Sequence, residues 1–293
     1  MNIPEIIFPF LAAFFYCISI ILVKYATRAK TLSGTSILVV NNMLSGLTFI
    51  PLILLDNTLP SLSNIWQPLL ASAFCAVGNL ATFICAERGE VSLMTPIMGI
   101  KILFVIMLSN IMLNNPLPHT ITISGAICCL AVFIMGFSRK SISADKLRIT
   151  ILLAITACAS YAICDVLMQK YAHNFTRYAM LSLTSVAMPL SVMPFIPRLI
   201  REIPHCSKRT LIFGFSSGLF MLMEMYLMFR SIVGEVGASL CNILFNTRGL
   251  ISIVLIFILG KFLSELKELN KSSALQRTIG ASLILLAVAI ALR

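Results

Sequence analysis

Ten stretches of this chain are continuously apolar over roughly the length of a bilayer-crossing helix, and that pattern leaves few ways to fold. A helical span needs about 20 apolar residues. Candidates lie near 5–26, 33–55, 66–86, 91–113, 119–137, 148–171, 176–196, 210–231, 236–259 and 275–292. The runs are unbroken rather than alternating, which excludes a β-barrel. Turn-forming joints separate them: "DNTLPSLSN", "NNPLPH", "SRKSISADK" and "REIPHCSKR". Of the 293 residues 59% are hydrophobic and 11% charged, with a mean hydropathy of +0.98, whereas soluble domains carry about 25% charged residues. No polar segment is long enough for a separate aqueous domain, so the fold class is all-α integral membrane. The first run, "IIFPFLAAFFYCISIILV", has no basic leader and no small-residue cleavage site, and reads as a retained helix rather than a signal peptide.

The same context disposes of two soluble-protein readings. Cys17, Cys75, Cys128, Cys129, Cys158, Cys164 and Cys241 lie inside apolar runs and form no C-x-x-C pair. They read as small hydrophobes, and neither a metal nor any other cofactor is expected. The net charge of +11 sits in short loops between spans, which speaks for membrane orientation and against a nucleic-acid partner.

An internal echo divides the chain. "KYA" recurs at 24–26 and 170–172, 146 residues apart, and "GEV" at 89–91 and 234–236, 145 apart. Gly125-Ala126 and Gly280-Ala281 open the last span of each part. Five spans per part is an odd number, so the second part must enter the membrane from the opposite side. We therefore expect ten transmembrane helices as two inverted five-helix repeats, residues 1–140 and 141–293, with substrate held between them near the midplane. The stretch "GEVSLMTPIMGIKILFV", echoed by "GEVGASLCNILFNTRGLISIV", resembles the fourth helix of the EamA-type branch of the drug/metabolite transporter superfamily. The resemblance extends over essentially the whole chain and implies that fold and a transport function.

Ionisable residues within a span cost at least a few kcal/mol and mark functional positions by default. Lys101 lies about 15 Å into the fourth span and Arg248 about 18 Å into the ninth, 147 residues apart. Acids occur at related places: Asp165 is 146 residues beyond Ser19, and Glu224 is 145 beyond Asn79. Candidate substrate-binding residues are therefore Lys101, Arg248, Asp165, Glu224, Asn79, Tyr161 and Asn246. Tyr161, Asp165 and Gln169 share one helix face, as do Asn242 and Asn246. A static ion pair, Lys101 with Asp165 or Arg248 with Glu224, is the competing reading. Pro96 removes a backbone hydrogen bond beside Lys101, so the fourth helix is expected to break or bend where it meets a polar site.

"GFSSG" at 214–218 matches a hydrolase nucleophile elbow, but that motif needs a strand before it and a helix after. Here it falls within a predicted span, and no enzyme is expected. The function expected is secondary, non-ATP transport of a small polar organic metabolite by alternating access. Two cations and two acids suit an amino acid or related zwitterion, with the acids also able to couple protons. A lipid or lipid-linked substrate and a non-transporting membrane scaffold are the alternatives. The partners are then the substrate, the lipid bilayer and coupling protons, in a monomer or homodimer of the inner cell membrane.

Orientation has two opposed signals. Sixteen of the 22 Lys and Arg residues follow odd-numbered spans and four follow even-numbered ones, which puts both termini outside; the family resemblance implies both inside. The charge distribution predicts that alkaline phosphatase fused after Arg293 is active. A silent phosphatase together with a fluorescent protein that glows at the same position would establish the opposite orientation.

Overall fold

The structure is a computed structural model, and it describes residues 3–56, 61–88, 94, 97–113, 117–136, 144–260 and 271–293. All regular structure among them is helical. The helices are α1 (Ile3–Arg28), α2 (Gly34–Phe49), α3 (Trp66–Arg88), α4 (Lys101–Met112), α5 (His119–Gly136), α6 (Ala144–Tyr171), α7 (Arg177–Thr184), α8 (Ala187–Val192), α9 (Ile196–Glu202), α10 (Lys208–Val233), α11 (Gly237–Phe245), α12 (Arg248–Gly260) and α13 (Lys271–Ala291). Each of the ten apolar stretches thus carries helix. Seven segments among the described residues are long and apolar enough to cross a membrane, and three shorter apolar helices, Lys101–Met112, His119–Met135 and Thr278–Ala291, accompany them. Large apolar side chains point outward along the bundle, among them Ile111, Leu152, Ile212 and Leu285. In water such a surface would aggregate; against lipid tails it costs nothing.

Two stretches expected as single helices are broken. The seventh is divided into α7, α8, a 3₁₀ turn at Met193–Phe195, and α9, and it extends to His205 rather than ending near 196. Pro194 and Pro197 are the second residues of two of these pieces, within the first turn, where a missing N–H costs no hydrogen bond. The ninth is divided at Asn246–Thr247, where i→i+3 bonds (Asn246 N to Ile243 O, 3.2 Å; Thr247 N to Leu244 O, 3.1 Å) replace the α-helical ladder. No proline marks this second break.

Helices from the two parts of the chain interleave. α1 lies along α10, α3 along α6, and α5 along α13. Close approach depends on small residues: a Cβ at Gly280 would meet the Met135 side chain and stand 2.9 Å from the Ala131 carbonyl oxygen. At the centre α1, α4, α6, α11 and α13 share one apolar cluster around Ala13, Ile102, Val166, Cys241 and Ala287.

The second helix of each part caps the other. Ser33, the N-cap of α2, gives its backbone N–H (2.8 Å) and its hydroxyl (2.9 Å) to Glu202 Oε2, and Ser36 adds its hydroxyl at 2.7 Å. At the other end Thr176, the N-cap of α7, donates its hydroxyl to Asp56, which follows the 3₁₀ extension of α2. Asp56 and Glu202 are 146 residues apart, the same interval as the "KYA" echo. A carboxylate at a helix N-terminus satisfies orphan N–H groups and opposes the positive end of the dipole. Replacing Glu202 by alanine strips three charge-assisted bonds from the start of α2. A stability loss of about 1–3 kcal/mol is expected, read as a lowered unfolding midpoint in detergent.

Candidate functional site

Both deep cations occupy the first residue of a helix that follows a break. Before α4 the chain turns at Gly99–Ile100, with i→i+3 bonds from Ile100 N to Ile97 O (2.9 Å) and from Leu103 N to Ile100 O (2.9 Å). Lys101 then opens α4, much as Arg248 opens α12 after Asn246–Thr247. Pro96, which suggested the first break, lies outside the described residues. A Cys158 thiol gives the Ile97 carbonyl a second hydrogen bond at 3.4 Å. A cation at a helix start faces the positive end of the helix dipole, so each must find compensation elsewhere.

Lys101 finds it in charge. Its Nζ stands 2.7 Å from Asp165 Oδ2, and the same oxygen accepts a hydrogen bond from Asn242 Nδ2 at 2.8 Å. The three residues come from α4, α6 and α11, and the Asp165 side chain is only 9% exposed. The Tyr161 ring lies one turn away, its centroid 5.7 Å from Nζ. Of the two static pairs open from the sequence, this one forms.

Arg248 and Glu224 form no ion pair. α4 packs on α6, and α12 packs correspondingly on α1. The residue of α1 that corresponds to Asp165 is Ser19, which carries no charge and gives its hydroxyl to the Ser217 carbonyl at 2.9 Å. The guanidinium instead lies over the rings of Tyr16 (5.0 Å) and Phe245 (4.8 Å), a cation–π contact worth about 1–2 kcal/mol where water is scarce. Glu224 is buried on α10 with no hydrogen-bond or ion-pair partner among the described residues. It is within electrostatic reach of Arg248, Lys101 and Asp165.

The neutral candidates divide. Tyr161 donates to Asn79 Oδ1 at 2.8 Å, and Asn79 Nδ2 donates to Asn42 Oδ1 at 3.2 Å, forming a chain across α6, α3 and α2. Asn246 turns back to the Asn242 carbonyl at 3.0 Å and belongs to the break itself. Asn42 and Tyr16 were not singled out in the sequence. Asn42 had a signal, being an amide in an apolar run, whereas Tyr16 looks like any other aromatic of α1. Ser216, the serine at the nucleophile position of "GFSSG", lies in the interior of α10 rather than on a strand-to-helix turn, so no nucleophile elbow exists there.

With this geometry in view, comparison with known proteins narrows the class. Residues 3–137 match the EamA-like transporter family. The resemblance carried by the fourth-helix stretch is borne out over that segment, and the family is one of membrane transporters rather than enzymes. A crystal structure at 11% identity covers 99% of this chain and 98% of its own, with a TM-score of 0.74; at that identity the likeness is one of fold alone. A comparison with curated proteins gave no match. The chain is thus an α-helical, multi-pass membrane protein whose residues 3–137 are similar to the EamA-like transporter family.

Removing one member of a buried pair leaves the other charge stranded, at about 3–5 kcal/mol. The Lys101 side chain retains 21% exposure, which places the expected loss for Lys101→Met at the low end, about 3 kcal/mol. Adding Asp165→Leu is expected to return most of it, giving a strong coupling in a double-mutant cycle of detergent unfolding midpoints.

Proposed function

We propose that the chain is a secondary transporter of the inner cell membrane, with ten spans in two inverted five-helix halves working by alternating access. The single observation behind this reading is the mirrored pair of broken helices, each presenting a cation at its restart. Discontinuous helices in corresponding positions are how secondary transporters expose backbone and charge to a substrate at the midplane. The exchange of helices between halves, α1 with α10 and α3 with α6, supports the inverted arrangement.

The substrate favoured is a small polar metabolite bearing both signs, such as an amino acid. Arg248, held only by aromatic faces, would take a carboxylate; Glu224, without a partner, would take an amine. The Lys101–Asp165 pair would open on binding or exchange a coupling proton, while Asn79, Tyr161 and Asn246 line or brace the site. The closed Lys101–Asp165 pair taken alone also suits a non-transporting scaffold. An unpaired cation and an unpaired acid in the same apolar interior weigh against that, because a purely structural role gives no reason to keep them.

Proteoliposomes offered a panel of radiolabelled amino acids test the proposal. Uptake by the wild-type protein is expected to fall at least tenfold in Arg248→Ala and in Lys101→Ala. Normal uptake in both variants would remove these residues from the site.

A further inference from the structure

A cavity of about 340 Å³ opens at the end of the bundle where α6 and α10 end and α7 begins. Its apolar walls are Phe175, Met180, Phe229 and Val233, and its polar lining is Gln169, His173 and Arg177. No acid lines it. Arg177 brings a guanidinium, whose fork of donors matches a carboxylate, and His173 adds a ring donor. Asp56, whose carboxylate contacts Thr176 beside Arg177, is not among the lining residues. The volume lies within the range of small-molecule sites.

The cavity also connects to the buried ion pair. Gln169 lies one α6 turn beyond Asp165, about 6 Å along the axis. Its Oε1 accepts the Ala238 N–H at 2.8 Å, at the start of α11, where Gly237 adopts a positive φ of 72°. The Ala238 carbonyl accepts from Asn242 Nδ2 at 2.9 Å, and that amide nitrogen also donates to Asp165. A ligand that moves Gln169 therefore pulls on the helix that holds the Lys101–Asp165 pair.

We propose that this cavity is a binding site for a small organic anion with an apolar body, its carboxylate held by Arg177 and His173, and that Gln169 links its occupancy to the buried ion pair. It is separate from the site built on Arg248 and does not rest on that reading.

The chain supplies its own reporter. Trp66 is the sole tryptophan, and it packs edge-on against Tyr171 at 5.7 Å, the residue preceding the cavity's Ala172. Titration of the full-length protein in detergent with cyclohexanecarboxylate is expected to change Trp66 emission saturably, while cyclohexylamine does not. Arg177→Gln, at an exposed position, is expected to weaken carboxylate binding at least tenfold with an unchanged melting temperature; Arg248→Ala is expected to leave it intact. Gln169→Ala should preserve binding but uncouple it from the ion pair: Lys101→Met is expected to change the cyclohexanecarboxylate affinity in the wild-type background and to leave it unchanged in the Gln169→Ala background. Equal response to the amine, no saturable response, or loss of binding in Arg248→Ala but not in Arg177→Gln would each overturn the assignment. The last of these would move the anion to the central site and leave the proposed transport function standing.

Discussion

Lipid offers no hydrogen bonds and little dielectric screening, so any charge this bundle carries inward has to be met by the protein. The Lys101–Asp165 contact is where that demand is satisfied most fully, and much of the interior is arranged around it. It ties α4 to α6, recruits Asn242 from α11, and sets Tyr161 beside the ammonium. Through Asn242 and Ala238 the same network reaches Gln169 and the mouth of the bundle. One ion pair thereby coordinates three helices of which two come from the second part of the chain and one from the first.

The sequence echo between the two parts of the chain makes its exceptions informative. Both restart a helix on a cation, but only one half supplies the acid: Asp165 on α6 has Ser19 as its counterpart on α1. Arg248 consequently rests on the faces of Tyr16 and Phe245. A guanidinium on aromatic rings is desolvated without being neutralised. It keeps its appetite for an anion. The first half lacks the acid, and the charge left on offer is therefore the cation of the second half, Arg248.

Much of this architecture was legible before the fold was known. Continuous apolar runs report helices in lipid because a spanning segment must satisfy its own backbone, and all ten stretches carry helix. Lys101 with Asp165 was one of two pairings on offer, but the choice depended on which helices touch. That is a tertiary fact: α4 meets α6, whereas α12 meets α1. The break at Asn246–Thr247 left no mark because neither residue forbids helix; the break is made by i→i+3 bonds and a following cation. Conversely, Pro194 and Pro197 were visible in the seventh stretch, yet hydropathy alone runs straight through them. Tyr16 could not be distinguished from its aromatic neighbours until Arg248 was seen above it.

The reciprocal capping of α2 and the α7–α9 segment bears on how the chain is made. Ser33 and the carboxylate that holds it are 169 residues apart. At about 5–20 residues per second of synthesis, α2 leaves the ribosome roughly 10–30 s ahead of Glu202. Throughout that interval its leading N–H groups need a surrogate: water, a lipid headgroup or the insertion machinery. The amino-terminal half is therefore assembled on credit, and its final docking has to await nascent chain that is still being translated.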